Sequence, residues 1–176
     1  LIGQETTGIG GMAKALRTIP VIMRIAEAMR ELSPGAMLIN FTNPAGLITQ
    51  ALSMFAPELP AVGVCNVPIT AKMDMVGRLE RIRGKKIDPS VCELDTLGLN
   101  HLSWHRGFRV NGRDMWPEIL NDYLKELRAS AEPDFPPALI ETLQMIPNYY
   151  LQYYYRTKFK IASQEKWPPS RGEEVI

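Results

Sequence analysis

The alternation of hydrophobic and polar positions predicts a layered α/β arrangement in the first half of the chain. Apolar side chains recur at helical spacing over residues 12–32, where Pro20 predicts a kink. Short, nearly continuous apolar runs at residues 36–41 and 61–64 are typical of buried parallel strands. Each run leads into a further helical pattern, the first ending near residue 54 and the second covering residues 69–82. This strand–loop–helix order predicts a doubly wound, Rossmann-like sheet.

The pattern changes after residue 86. Residues 91–97 are strand-like, and residues 104–115 predict a hairpin that turns at Asn111 and Gly112. A helix is predicted over residues 118–129 and another helical stretch over 138–158, with a proline-containing break at 133–137. We therefore predict two domains, an α/β portion at residues 1–87 and an α+β portion at residues 88–176.

Composition narrows the class of protein. The chain of 176 residues carries 20 Lys and Arg against 19 Asp and Glu, a net charge of +1, which argues against a nucleic-acid surface. No apolar run approaches the length of a membrane span, so no membrane partner is predicted. Two cysteines make no disulfide framework and fit a reducing, cytoplasmic setting. Because the chain begins at Leu1 and ends at Ile176 without a polar tail, we expect an internal fragment of a longer protein.

Polar side chains follow three of the predicted strands. Asn43 follows the first, Cys65 and Asn66 the second, and His101 comes soon after the third. Since open α/β sheets bind ligands at the carboxyl ends of their strands, Cys65 and His101 are candidate ligands of one transition metal. Two protein ligands would leave coordination positions open for substrate or water. A structural role for His101 and a Cys–His nucleophile pair are the alternatives, although no orienting third residue is evident for such a pair.

Three further features carry weaker signals. Residues 8–11 are rich in glycine and precede a helix, where they could cradle an anion, and Glu5 lies just ahead of them. His105 is predicted to be either structural or at the surface, and Cys92 is predicted to lie in the core.

Five tyrosines cluster between residues 149 and 155. At helical spacing Tyr150, Tyr153 and Tyr154 share one face, which is typical of a packed aromatic stripe. The functional alternative is that one phenol acts as a base. Its ordinary pKa of about 10 would then have to be lowered by a metal or another cation.

Four segments taken together resemble glycoside hydrolase family four, the NAD- and divalent-metal-dependent glycosidases. They are GQETTG at residues 3–8, INFTNPAG at 39–46, GVCNVPI at 63–69 and GLNHLS at 98–103. The resemblance follows the family's order from Leu1 to about Val175. It implies a lactate/malate-dehydrogenase-like fold and an activity without the usual pair of carboxylates. In that mechanism NAD oxidises C3 of the sugar, a tyrosine removes the C2 proton, the aglycone leaves C1, water adds and hydride returns.

The resemblance also implies roles for individual residues. Cys65 and His101 would bind the metal, Mn²⁺ or another divalent ion, and Asn43 would bind substrate hydroxyls. Tyr150 would be the base, with Tyr149 as the alternative one position away. Two more residues complete the set: Glu5, which would tune the basicity of that tyrosine, and Arg171, which would contact the substrate, plausibly at its phosphate.

Asn66 indicates the subgroup. The residue after the metal-binding cysteine differs among family members, and Cys65 followed by Asn66 resembles the 6-phospho-β-glucosidases. An amide cannot be a general acid, so Asn66 would contact substrate and the leaving-group acid stays unassigned. The NAD-binding residues are also unassigned, because the family's glycine-rich nucleotide loop has no counterpart here. A homo-oligomer is expected of the full-length enzyme. The alternatives are another activity of the family (6-phospho-α-glucosidase or α-galactosidase) or a hydroxy-acid dehydrogenase of the same fold.

Overall fold

The computed structural model describes residues 4–6 and 8–163, which form two compact units. The first contains residues 4–6 and 8–65 together with 161–163, and the second is Asn66–Lys160. The second unit therefore begins directly after Cys65, with the helix that follows it. The division into functional domains at residue 87 or 88 stays a prediction.

The first unit is a parallel β-α-β arrangement preceded by a long helix. Its elements are α1 (Gly8–Leu32), β1 (Leu38–Asn40), α2 (Ala45–Phe55) and β2 (Ala61–Gly63). β1 and β2 are parallel, with Asn40 opposite Gly63, as the apolar runs predicted. The helix α1 begins four residues earlier than the hydrophobic periodicity indicated and includes Pro20. Its buried Ala26 packs with α2 and β1 around Leu38, Ile48 and Leu52.

The second unit is an antiparallel sheet covered by helices. Its elements are α3 (Val67–Arg83), β3 (Cys92–Leu99), β4 (Leu102–Val110), β5 (Arg113–Asp114), α4 (Trp116–Ala129), α5 (Pro137–Leu143), β6 (Ile146–Pro147), α6 (Gln152–Tyr155) and α7 (Thr157–Ser163), of which α7 extends past the end of the unit. β4 is the central strand and pairs with β3, β5 and β6. Asn111 and Gly112 join β4 to β5, which confirms the predicted hairpin turn.

The core of this unit lies between the sheet and the helices α3 and α4. Phe108 of β4 and Ile119 of α4 are fully buried within it. Cys92 is also buried there, as predicted, and burial raises the pKa of its thiol. Arg78 of α3 ties the two helices together through ion pairs to Asp122 (2.6 Å) and Glu126 (2.7 Å).

A β-bulge interrupts the pairing of β3 with β4. Asp95 pairs with Gly107 and Thr96 pairs with His105, so Arg106 is an extra residue on β4. Since neighbouring side chains on a strand alternate between faces, one extra residue changes which positions point inward. Buried residues on β4 are accordingly Ser103 and His105 before the bulge and Phe108 after it. This bulge was not predicted.

The helical stretch predicted over residues 138–158, as one helix or two, was wrong in its middle. α5 ends at Leu143, its C-cap Gln144 adopts a left-handed conformation (φ 54°), and Ile146 and Pro147 then form the short strand β6. Pro147 cannot donate a helical hydrogen bond, and the side chain of Asn148 starts a 3₁₀ turn at Tyr149–Leu151 instead. The tyrosine cluster therefore begins on a turn beside the sheet.

Candidate active site

In the first unit, Asn43 and Cys65 follow the carboxyl ends of the paired strands β1 and β2. The amide of Val64 donates to the carbonyl of Asn40 (2.8 Å), which extends the pairing of the two strands to the residue before Cys65. Asn43 and Cys65 are both half-buried, and Cys65 forms no disulfide bond. The expectation that the strand ends bring these segments to one edge of the sheet is therefore met within this unit.

Asn40 shapes the loop that carries Asn43, a role that the sequence analysis missed. Its buried side chain accepts a hydrogen bond from the amide of Thr42 (3.1 Å) and donates one to the carbonyl of Thr42 (3.2 Å). An asparagine that bonds to the backbone two residues later is the signal that could have found it.

Glu5 precedes α1 and is half-buried. A Cβ atom added at Gly10 would lie 2.6 Å from the carbonyl oxygen of Gln4, so the backbone there lies against the first turn of α1. This close backbone contact explains why position 10 is a glycine. The roles predicted for Glu5 and for this segment as an anion cradle remain predictions.

In the second unit, His101 lies in the two-residue turn between β3 and β4. Its backbone is left-handed (φ 65°), and its side chain is buried, with 3% exposed. A buried histidine in this conformation is uncommon and occurs most often where the surroundings enforce it. Gly98 opens the turn with φ 100°, and a Cβ there would lie 2.5 Å from the carbonyl oxygen of Leu102. The turn is thus built tightly around His101.

Tyr150 lies directly on His101. The two rings are stacked, with centroids 3.8 Å apart and planes 3° from parallel, and only 9% of Tyr150 is exposed. Tyr153 stacks on Tyr150 in turn, with ring centroids 6.0 Å apart. Tyr154 is 49% exposed and does not belong to this buried group, so the prediction of a face shared by all three tyrosines was wrong for Tyr154. The structure therefore places a predicted metal ligand and the predicted base in contact.

Tyr149, the alternative base, has a different environment. It is 47% exposed, meets Tyr150 edge-on at 5.9 Å and accepts a hydrogen bond from the ammonium of Lys160. That ammonium also lies over the Tyr149 ring, 4.6 Å from its centroid. The two candidate tyrosines are thus distinguished by burial and by the partner each ring contacts.

Asn148 and Ser103 attach the Tyr150 turn to the sheet. The amide of Asn148 donates to the carbonyl of Ser103 (2.9 Å), and the Asn148 side chain donates to the Ser103 hydroxyl (3.2 Å) while accepting from the amide of Tyr150 (3.0 Å). Both residues are buried. Sequence reasoning missed them, although Asn two positions before Tyr150 is a typical turn-forming residue.

His105 is structural, one of the two predicted alternatives. It is buried on β4, and its Nδ1 lies 2.9 Å from the hydroxyl of Thr96 on β3. Burial lowers its pKa below the ordinary value for histidine. His105 is therefore a neutral hydrogen-bonding group of the sheet at physiological pH.

The other predicted site residues are placed as follows. Asn66 is exposed at the N-terminus of α3, where its side chain does not cap the helix. Arg171 lies outside the described residues.

The donor chemistry fits a catalytic metal ion. A thiol and an imidazole are typical ligands of transition metals. Among residues 4–6 and 8–163, no group of three or more His, Cys, Asp or Glu side chains is arranged to hold an ion. The same residues include no helix that is both long and apolar enough to cross a membrane.

Comparison with known proteins identifies the family. The model of the family 4 glycosyl hydrolases matches residues 1–81, and the model of the family 4 glycosyl hydrolase C-terminal domain matches residues 96–175. The chain therefore belongs to glycoside hydrolase family four.

Its relatives include enzymes for both anomers of phosphorylated glucosides. A 6-phospho-β-glucosidase of Escherichia coli strain K12 is 37% identical over 92% of this chain and 36% of its own length. A Thermotoga maritima 6-phospho-β-glucosidase, solved with manganese, NAD⁺ and glucose-6-phosphate, superposes with a TM-score of 0.79 at 31% identity over 99% of this chain and 40% of its own. A 6-phospho-α-glucosidase from gut microorganisms, solved with NAD and Mn²⁺, gives 0.75 at 27% identity over 99% and 42%. The chain thus spans well under half the length of these relatives.

Proposed function

We propose that the enzyme containing this chain hydrolyses 6-phospho-β-glucosides, such as 6-phosphocellobiose, in the cytoplasm. Family membership and the E. coli and T. maritima relatives support this substrate class. The observation that carries the proposal within the chain is the stack of Tyr150 on His101, since it joins a candidate base to a candidate metal ligand. A full-length homo-oligomer is part of the proposal.

Each residue has a proposed task in this reaction. Cys65 and His101 hold a divalent metal through sulfur and nitrogen, and Asn43 and Asn66 bind hydroxyls of the sugar. Tyr150, a buried residue with 9% exposed, takes the proton from C2. Glu5 and Arg171 keep the roles that the family resemblance implies, tuning of the base and contact with the phosphate.

Bound metal and NAD supply Lewis-acid polarisation of the C3 oxygen and reversible acceptance of hydride from C3. The residues of this chain provide the complementary functions. The backbone of His101, fixed by its left-handed turn, presents the imidazole, while the ring of Tyr150 is held parallel to it. Such fixed placement of reacting groups is a large part of enzymatic rate enhancement.

The second candidate is cleavage of the α-linked isomers. It is favoured by the α-acting structural relative, at 27% identity and a TM-score of 0.75. The β-linked substrate is preferred because the β-acting relatives are more similar, at 33% to 38% identity, and because Asn66 follows Cys65.

The deciding experiment compares turnover of 6-phosphocellobiose and 6-phosphomaltose by the full-length enzyme, with Mn²⁺ and NAD each added or withheld. We expect kcat/KM to favour the β-linked substrate at least about tenfold, corresponding to about 1.4 kcal/mol. Omission of either cofactor should abolish turnover. Preference for 6-phosphomaltose would establish the alternative, and turnover of neither substrate would refute both.

Isotope exchange tests the role of the base separately. During turnover in D₂O, removal of the C2 proton should introduce deuterium at C2 of the product. Product without deuterium at C2, from an active enzyme, would argue against deprotonation by Tyr150.

A further inference from the structure

We propose that Asn148 is a positioning residue that sets the contact between Tyr150 and His101, a role that rests on the proposed function. The side chain of Asn148 joins the turn that carries Tyr150 to Ser103 on β4, two residues after His101. It therefore fixes the position of one ring with respect to the strand that presents the other.

Asn148 connects the Tyr150 turn to β4 through both its backbone and its side chain. Backbone pairing of β4 with β6 ends at Trp104 opposite Pro147, and the bond from the Asn148 amide to the Ser103 carbonyl (2.9 Å) extends it by one residue. The Asn148 side chain then uses its donor on Ser103 (3.2 Å) and its acceptor on the amide of Tyr150 (3.0 Å). Three hydrogen bonds thus converge on one buried asparagine.

Asparagine is the residue type that suits these two contacts. An aspartate could accept from the amide of Tyr150 and from the Ser103 hydroxyl, but it would bury a charge, and a serine would be too short to reach both groups. An asparagine makes both contacts while remaining uncharged.

The contact between the two rings is sensitive to small movements of the Tyr150 turn. Rings 3.8 Å apart and within 3° of parallel are in full face contact, so a small movement of the Tyr150 turn changes their overlap. Misplacement of a catalytic group by about 1 Å can cost a factor of about 100 in rate. Loss of the Asn148 link should therefore lower kcat while leaving substrate affinity largely unchanged.

The chain offers a matched control in Asp88. Its side chain accepts a hydrogen bond from the amide of Ser90 (2.8 Å) and so begins the 3₁₀ turn Pro89–Val91, as Asn148 begins the turn Tyr149–Leu151. Asp88 has no place in the proposed site. Asp88→Ala therefore removes an equivalent turn-starting bond without touching the link to Ser103.

The experiment measures kcat, KM and the His101 imidazole resonance in the full-length enzyme and in four variants: Asn148→Ala, Asn148→Ser, Ser103→Ala and Asp88→Ala. The His101 ring proton, assigned by its loss in His101→Gln, reports the stack in the metal-free, NAD-free protein through the ring current of Tyr150. This readout does not depend on catalysis.

We expect Asn148→Ala to lower kcat about 10- to 100-fold with KM within about twofold, and to move the His101 resonance toward that of an unstacked ring. Asn148→Ser, which keeps the bond to Tyr150, and Ser103→Ala, which removes only the hydroxyl contact, should give smaller changes in the same direction. Asp88→Ala should alter neither kcat nor the resonance.

The proposal is overturned if Asn148→Ala keeps the wild-type kcat and resonance, or if Asp88→Ala changes both to the same extent. Should Asn148→Ala fail to fold, Ser103→Ala decides, and wild-type behaviour of that variant refutes the proposal. Should the wild-type enzyme turn over no phosphoglucoside, the proposed function fails, while the resonance still tests whether Asn148 sets the stack.

Discussion

The imidazole of His101 and the phenol ring of Tyr150 lie face to face, with centroids 3.8 Å apart and planes 3° from parallel. They come from separate parts of the second unit, the turn between β3 and β4 and the 3₁₀ turn after β6. The contact places the hydroxyl-bearing ring beside a candidate metal ligand, and for this reason we propose Tyr150 rather than Tyr149 as the base.

Tyr150→Phe tests that choice, because it keeps the ring contact and removes only the hydroxyl. We expect kcat to fall about 10²- to 10⁴-fold, the usual contribution of a general base, while the free energy of unfolding changes little. Tyr149→Phe is the matched control and should stay within a factor of about 3 of wild type, since the exposed Tyr149 contacts Lys160. The reverse order of effects would assign the base to Tyr149.

The two cysteines allow a paired test of metal binding. Cys65→Ser removes a half-buried thiol at the strand edge, and Cys92→Ser removes a thiol in the hydrophobic core. Loss of a metal's hydrogen-bonded outer partner already costs about 10- to 100-fold in affinity, so loss of a ligand should weaken Mn²⁺ binding at least about 100-fold.

Titration of Mn²⁺ followed by electron paramagnetic resonance measures this affinity. Cys92→Ser should bind Mn²⁺ like the wild type but unfold at lower denaturant concentration, because it buries a hydroxyl in an apolar core. Equal Mn²⁺ affinity in Cys65→Ser and in the wild type would remove Cys65 from the ligand set.

Alanine substitutions at Gly98 and Gly112 distinguish the cost of backbone strain from the cost of a steric clash. Both have positive φ, at 100° and 74°, but only at Gly98 would a Cβ meet the backbone, 2.5 Å from the Leu102 carbonyl oxygen. We expect Gly112→Ala to lower the free energy of unfolding by about 1 kcal/mol and Gly98→Ala by about 3 kcal/mol or more. Urea denaturation of both variants measures the difference. Similar losses would show that the turn at His101 can relax.

The lowered pKa of His105 should make the free energy of unfolding depend on pH. Its pKa is lowered by burial in the folded protein, whereas the unfolded chain takes up a proton near the ordinary value of about 6.5. Below that pH the unfolded state binds more protons than the native state at this residue, so the free energy of unfolding falls as the pH falls. The slope from one such group is at most about 1.4 kcal/mol per pH unit.

Denaturant unfolding at several pH values between about 7.5 and 5.5 measures this slope. His105→Gln cannot titrate and should show a shallower decline than the wild type across that interval. Parallel curves for the two proteins would mean that His105 does not contribute to acid sensitivity.

Much of the fold follows from local patterns. The parallel pair β1 and β2 and the turn at Asn111 and Gly112 were predictable because apolar runs and turn residues act over a few positions. Two of the four segments that resemble the family contain Cys65 and His101, and the tyrosine cluster contains Tyr150, so these candidates follow from the sequence. The assignment of the four segments to a family agrees with the family models that match the chain.

The parts that sequence reasoning missed depend on pairing between distant segments. The break in the helix after Leu143 and the attachment of Asn148 to Ser103 both arise from pairing between distant segments. Asn148 and Ser103 are 45 positions apart in the sequence. Helical periodicity wrongly placed Tyr154 on the face of Tyr150 and Tyr153. Strand β6 and the 3₁₀ turn Tyr149–Leu151 interrupt the helix on which that periodicity depends.

The bulge at Arg106 determines which insertions or deletions β4 can accommodate. Because of this extra residue, Ser103 and His105 point to the same face as Phe108. Deletion of Arg106 would restore one-to-one pairing of β3 with β4 and keep Ser103, His105 and Phe108 on one face, so Asn148 would keep its partner. Deletion of Trp104 would instead place Ser103 and His105 on opposite faces. A single deletion at Arg106 should therefore be far less harmful than one at Trp104, so the tolerance of β4 to a change in length depends on where the change lies with respect to the bulge.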